Sequence, residues 1–304
     1  MLIGTVTVIL MARLLCVHAH PDDEASKGAP TVARYVSEGH EAYLVCATGG
    51  EEGDILNKAL DTAEVRDNLP QVRAEELARS VEAIGYNELI WLGYRDSGMA
   101  ESEANHHPDS FAQADIDEAT GRLVGIIRRL HPEVIITYSD DQQGYRHPDH
   151  LRVHDVSVLA WERAGDSAWY PEEGAPWQPL KLYYSVWSRA RLLAHHEKFG
   201  ALGLESPYDD RWFSRPSSDE RITTKIDIGP YYPVRREALL AHATQVDPKE
   251  KFWFGLPDDA AAEAYPWEDY ILAESRVGSE LPEEDLFAGV PDELVAVVES
   301  GACR

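Results

Sequence analysis

Cysteine is scarce in this chain. Three residues in 304, Cys16, Cys46 and Cys303, lie far apart and form no CxxC pair. So sparse and odd a count argues against a disulfide framework and fits a reducing cytoplasm. Cys16 and Cys46 fall inside the apolar runs Leu14–Val17 and Tyr43–Ala47, so both read as buried core thiols. Positive charge is the second scarcity: 28 Lys and Arg stand against 54 Asp and Glu, a formal charge of −26. A surface so acidic repels phosphate backbones and anionic lipid heads, which speaks against nucleic acid and membrane partners. Long apolar runs are the third. The stretch Met1–Ala19 has no Lys or Arg ahead of its apolar run and is cut by Arg13, so neither a signal peptide nor a membrane span is expected. Met11 stands directly before ARLLCVHAHPDDE, and residues 1–10 are expected to be an upstream-start extension. The mass of the native N terminus tests that expectation.

What is present is an ordinary globular mixture, 44% apolar and 27% charged, long enough for one large domain with an extension. Short apolar runs alternate with helical periodicity. Strands are expected at Leu14–Ala19, Glu41–Thr48, Leu89–Leu92 and Val134–Tyr138, and helices at Ser26–Glu38, Glu64–Ile84, Ile116–Leu130 and Leu151–Trp161. Pro70 marks a kink in the second helix, or its true start. Such alternation implies an α/β fold, a Rossmann-like and mostly parallel sheet with helices on both faces. Beyond Gly165 the pattern loosens, with strands at Lys181–Trp187 and Arg221–Ile228 and a helix at Arg235–Thr244. The whole chain reads as one domain. Its catalytic core covers about 12–165, an extension or cap about 166–290, and tails 1–11 and 291–304.

The first strand runs into His20-Pro21-Asp22-Asp23-Glu24, and the fourth empties into Tyr145-Arg146-His147-Pro148-Asp149-His150. Ligands in such sheets bind beyond the carboxyl ends of the strands. Two clusters meeting at that edge can build a His-Asp-His site with an open position, and nitrogen and oxygen donors without thiolate suit Zn²⁺ or Fe²⁺. A divalent ion lowers the pKa of a coordinated water toward about 7. One carboxylate of the Asp-Asp pair can bind the ion while the other stays free as a base. Singly, an HxxH pair or an Asp-Asp pair is more often a helix cap or a solvated turn. Their joint placement at strand ends carries the argument.

AlaHisProAspAspGlu at 19–24 and HisProAspHis at 147–150 resemble the paired signatures of the LmbE-like, or PIG-L, zinc-dependent N-deacetylases. ThrGlyGlyGluGluGly at 48–53, ArgAspSerGlyMet at 95–99, HisAlaThrGln at 242–245 and LeuProGluGluAspLeuPhe at 281–287 resemble the actinobacterial mycothiol branch, so the likeness spans Leu14 to Val290. That branch holds two activities. One removes acetyl from N-acetylglucosaminyl-inositol; the other cuts the amide between the glucosamine nitrogen and the S-modified cysteine of mycothiol conjugates. Ser26-Lys27-Gly28, Gly49-Gly50 and residues 52–57 resemble the amidases more closely. The implied partner is a small pseudodisaccharide thiol conjugate.

The resemblance assigns His20, Asp23 and His150 as metal ligands and Asp22 as general base. His147 and Tyr145 stand where an oxyanion donor is needed, and His147 can protonate the departing amine with Asp149 orienting its ring. Arg73 and Asp96 fall where the family contacts sugar and inositol hydroxyls; for Arg73 a helix-face ion pair with Glu75 or Glu76 is the alternative. Glu24 supports the site by hydrogen bonding or caps the following helix. Lys27 reaches the cysteinyl part or is a solvated lysine. The chain departs from the family pattern at residues 140–144, where amidases carry an Asn-Gly-Gly-like loop, and at Arg146, which replaces a small residue or proline. His106-His107 and His195-His196 are expected at the surface, and His242 either lines the cleft or is buried and bonded. A non-catalytic carbohydrate-binding relative is the competing class, against which the intact Asp22 counts, because binding alone needs no base.

Overall fold

The structure is a computed structural model describing residues 8–142, 144–291 and 296–299. In chain order the elements begin with β1 (Val8–Met11), β2 (Arg13–His18), α1 (Asp23–Ser26), α2 (Ala29–Ser37), β3 (Glu41–Thr48), α3 (Ala63–Asp67), α4 (Leu69–Ile84) and β4 (Glu88–Tyr94). They continue with α5 (Ile116–Leu130), β5 (Val134–Tyr138), α6 (Pro148–Arg163), β6 (Lys181–Val186), α7 (Arg189–Ala201), α8 (Asp210–Phe213) and β7 (Thr224–Asp227). The last are α9 (Tyr232–Ala241), α10 (Lys251–Phe254), α11 (Asp258–Ala264), β8 (Trp267–Ser275) and β9 (Ala296–Glu299). Strands β1 and β9 pair antiparallel with each other. Residues 1–7 and Cys303 lie outside the described residues, so the upstream-start expectation is only partly covered.

One seven-stranded sheet has the order β4-β3-β2-β5-β6-β8-β7, and its pairs from β4 to β6 are parallel. β8 runs antiparallel to both β6 and β7. The mostly parallel sheet expected from the alternating pattern is therefore present. The segment after Gly165 contributes β6, β7 and β8 to that same sheet. Strand β2 shows why both faces are covered: Leu14 and Cys16 join the core beneath α2 and α4, while Leu15 and Val17 join the core beneath α5 and α6. Cys16 and Cys46 are free and buried, as their apolar surroundings imply.

Helix α5 illustrates the local logic. Asp115 caps it by accepting from Asp117 N at 2.9 Å and Glu118 N at 3.0 Å, acids occupy its first turn, and Arg128 and Arg129 its last. Where expectations differ from the structure, the cause is backbone chemistry. The helix expected over Ser26–Glu38 begins only at Ala29, because Gly28 at φ +107° separates it from the short α1. The helix expected over Glu64–Ile84 is split at Asn68, directly before α4, with Pro70 in the first turn that suits it. Helix α9 stops at Ala241 rather than Thr244, and His242 turns the chain.

Glu133, at the opposite edge from the site, yields a pH prediction. It is 1% exposed, its Oε2 accepts Arg13 N at 2.6 Å, and its Oε1 has no partner. Burial outweighs that hydrogen bond and raises its pKa to about 7 from the usual 4.5. Between those values the folded state holds more protons than the unfolded chain, so stability falls as pH rises through that window. The full span amounts to roughly 3 kcal/mol. Urea unfolding at pH 5 and pH 8 should show this slope, and Glu133→Gln should flatten it.

Candidate active site

β2 and β5 lie side by side at the point where the strand order reverses, and both motifs leave the sheet at its carboxyl edge there. Tyr138, the last residue of β5, ties them together. Its hydroxyl accepts Ala19 N at 2.8 Å and donates to Asp23 Oδ2 at 2.6 Å, and its ring stacks on His150 with centroids 4.3 Å apart. Asp23 Oδ2 also accepts His20 N at 3.0 Å.

His20 Nδ1 lies 3.5 Å from Asp23 Oδ2, and His150 Nε2 lies 3.4 Å from the same oxygen. Ligands about 2.1 Å from a tetrahedral ion sit about 3.4 Å from one another, so the spacing and the N,N,O donor set fit a zinc-type ion. Donor atoms of His20, Asp23 and His150 all fall within 4.8 Å of one another. The Lys27 ammonium meets Asp23 Oδ1 and lies 3.3 Å from Ser26 Oγ, so it is turned into the site rather than solvated. Asp23 is held well below the usual carboxylate range; burial opposes this, but Lys27 and His150 outweigh it.

Asp149 and Asp96 approach the far side of the His20 ring. His20 Nε2 stands 3.1 Å from Asp149 Oδ2 and 3.6 Å from Asp96 Oδ1. Donating from Nε2 to Asp149 leaves Nδ1 free to face an ion, as orienting carboxylates do around metal-bound histidine. Burial pushes His20 down, yet Asp149, Asp23 and Asp96 together hold it well above its ordinary value. The expected pairing of Asp149 with His147 takes another form. That carboxylate is 4.0 Å from His147 Nδ1, which instead accepts the backbone N of Asp149 at 3.2 Å. The reason is that Ser97 draws the carboxylate away, through its hydroxyl and through its N at 3.0 Å.

His147 caps α6, and His150 lies in its first turn. Burial, followed by the charge on His20, lowers the pKa of His147. Tyr145 is 57% exposed at the cleft mouth, its ring 6.0 Å from His147 and 5.3 Å from His150.

Asp22 stands on the cleft side of the turn at φ +109°, a conformation that strains any side chain larger than glycine. Two buried partners hold it there. Glu24 Oε2 accepts Asp22 N at 2.9 Å, and Arg73 Nη2 donates to Pro21 O at 2.6 Å while lying 3.4 Å from Asp22 Oδ2. Burial raises the pKa of Asp22, with Arg73 opposing and Asp23 reinforcing the shift. Arg73 therefore faces the motif and is not paired with Glu75 or Glu76. Glu76 instead accepts Thr244 N at 2.8 Å and Thr244 Oγ1 at 2.7 Å, pinning residues 242–245 to α4. Gly50, at φ +68°, lies against the Arg73 guanidinium so closely that a Cβ would collide with Nη1. That contact explains Gly50, the second of the two glycines.

His242 is fully buried and meets Glu24 Oε1 at 2.6 Å. Glu24 thus supports the Asp22 backbone instead of capping a helix. Tyr138 and Ser97 are the site residues that sequence reading missed. Tyr138 ends a predicted strand and Ser97 lies in a noticed motif, but neither spacing names a partner. Of the remaining histidines, His106 and His107 are exposed as expected. His195 is not: it is 6% exposed, because α7 packs against α11 and the His195 ring meets Tyr232 of α9 edge-on.

All the site residues expected from the sequence except Glu24 and Asp149 line one cleft of about 410 Å³, which Leu56, Met99 and Trp253 line as well. Fold and site together define a carboxylate- and histidine-based centre at the switch point of an α/β sheet. The GlcNAc-PI de-N-acetylase family, PIG-L, matches residues 15–161. The chain is 46% identical over 290 residues to a mycothiol S-conjugate amidase of Streptomyces coelicolor, covering 92% of this chain and 98% of the relative. It is 40% identical over 292 residues to a 1D-myo-inositol 2-acetamido-2-deoxy-alpha-D-glucopyranoside deacetylase of Streptomyces avermitilis, covering 91% and 97%. Among solved structures, the N,N'-diacetylchitobiose deacetylase of Pyrococcus horikoshii superposes with a TM-score of 0.60 at 17% identity, over 85% of this chain and 82% of that one. This chain belongs to the PIG-L family. Among the described residues, no helix is long and apolar enough to cross a membrane.

Proposed function

We propose that the protein is a metal-dependent amidase that hydrolyses mycothiol S-conjugates, releasing glucosaminyl-inositol and an N-acetylcysteine S-conjugate. The observation that carries the hydrolytic reading is Asp22, a carboxylate with raised pKa, placed beside the His20–Asp23–His150 donor set on a cleft wall. His20, Asp23 and His150 would hold a divalent ion, which supplies Lewis acidity toward the amide carbonyl and hydroxide at neutral pH. Asp22 takes the proton of the attacking water at its carboxylate. Tyr145 and His147 face the developing oxyanion, and the proton that Asp22 takes from the water passes through His147 to the departing amine nitrogen. Arg73 and Asp96 receive the sugar and inositol hydroxyls, which are neutral and unaffected by the acidic surface. Lys27 faces the cysteinyl end.

The amidase reading rests on the cleft mouth. Leu56, Met99 and Tyr145 are 59%, 45% and 57% exposed and, with Trp253, offer an apolar rim to a large S-substituent. Removal of an acetyl group requires no such rim. N-acetylglucosaminyl-inositol deacetylation is the second reading, favoured by the 40% identity to a deacetylase of that substrate. Turnover of a bimane conjugate of mycothiol and of N-acetylglucosaminyl-inositol should be compared with the same metal-loaded preparation. The conjugate should be cleaved with the higher kcat/KM; faster turnover of the acetyl sugar would reverse the order.

A further inference from the structure

Leu239 and Trp253 form a wall that the cleft shares with a second, smaller cavity between α7, α9 and α11. Arg191 and His195, one turn apart on α7, and Arg235 on α9 line it, and they are 6%, 6% and 4% exposed. Such an enclosure is costly for guanidinium groups unless their charge is matched. Arg235 meets Glu268 through Nη2, but its Nε and Nη1 have no hydrogen-bond partner, and neither has His195 Nε2. Arg191 lies over the Trp187 ring, 4.3 Å from its centroid, and among the described residues it enters no ion pair. Arg236 at the rim is matched by Asp258 at 3.4 Å. The cavity lining therefore holds three guanidinium groups, Arg191, Arg235 and Arg236, and one carboxylate, Asp258, while Glu268 holds Arg235 from outside the lining. His195 adds no charge at neutral pH, since burial and the two arginines lower its pKa to about 3.

The cavity's volume is about 30 Å³. A water needs roughly 10–15 Å³ on this scale, so there is room for two or three water-sized bodies, which suits a small ion better than a sugar acid. We propose that this cavity binds one small inorganic anion of chloride size, held by Arg191 and by the unpaired Nε and Nη1 of Arg235. The site lies outside the cleft and takes no part in the hydrolysis proposed above. Because Trp253 stands between the two, and stacks edge-on to Trp187 at 5.6 Å, the ion also fixes one wall of the cleft.

Wild-type crystals soaked in sodium bromide test this directly by anomalous diffraction at the bromine edge. A bromine peak in contact with Arg191 and Arg235 is expected. In solution, thermal unfolding at equal ionic strength should be a few degrees higher in chloride than in gluconate, and Arg191→Met should erase that difference. Should Arg191→Met fail to fold, the wild-type measurements decide. An ordered water in place of the bromine peak overturns the proposal. So does a peak without chloride-dependent stabilisation, which marks binding at crystal concentration only. Neither readout involves turnover, so failure here is distinguishable from failure of the amidase reading.

Discussion

Asp22→Asn is expected to lower kcat by about 10²–10⁴-fold, the range for losing a positioned general base, with metal content unchanged. Asparagine keeps the shape of the side chain and meets the same backbone strain that aspartate does, so the turn at φ +109° survives the change. It keeps an oxygen for Arg73 Nη2 as well, now 3.4 Å from the carboxylate. What it lacks is basicity. His150→Ala supplies the contrast, because it removes a donor 3.4 Å from Asp23 Oδ2 and should lose metal and turnover together. Elemental analysis after dialysis, alongside steady-state rates, separates the two outcomes. Near-normal turnover by Asp22→Asn would assign the base elsewhere. Loss of metal by Asp22→Asn would place Asp22 among the ligands.

The contrast between these two residues was legible in the sequence because both motifs are local. Asp22 and Asp23 are neighbours, His147 and His150 are three apart, and each cluster follows an apolar run that reads plainly as a strand. Strand β3, helix α5 and strand β5 lie where periodicity puts them, since an apolar face of regular spacing fixes each. The partners that aim the site are of another kind. Asp149 reaches His20 across 129 positions, Tyr138 reaches Asp23 across 115, and His242 reaches Glu24 across 218. Only the packing of helices on the sheet brings such pairs together, and no spacing rule encodes it. The burial of His195 was hidden for the same reason: α11 covers its helix and Tyr232 of α9 its ring, and both follow it in the chain.

His242→Leu is expected to destabilise the fold by about 3–5 kcal/mol, the usual effect of removing one member of a buried ion pair. Its imidazole stands 2.6 Å from Glu24 Oε1, and both residues are 0% exposed. Glu24 also accepts from Ser80 Oγ and Asp22 N, so it stays in place when its cation is lost. The variant then holds a fully buried carboxylate with hydrogen bonds but without its cation. Pairing Glu24→Gln with His242→Leu removes that charge as well. The double variant should therefore be more stable than the sum of the two single losses implies. Turnover should not recover with stability, because the neutral amide accepts Asp22 N more weakly and the strained turn loosens. Urea unfolding and kcat measured on the same three variants check both statements. A loss below about 1 kcal/mol for His242→Leu would mean that Glu24 is neutral in the folded protein and that hydrogen bonding alone holds the turn.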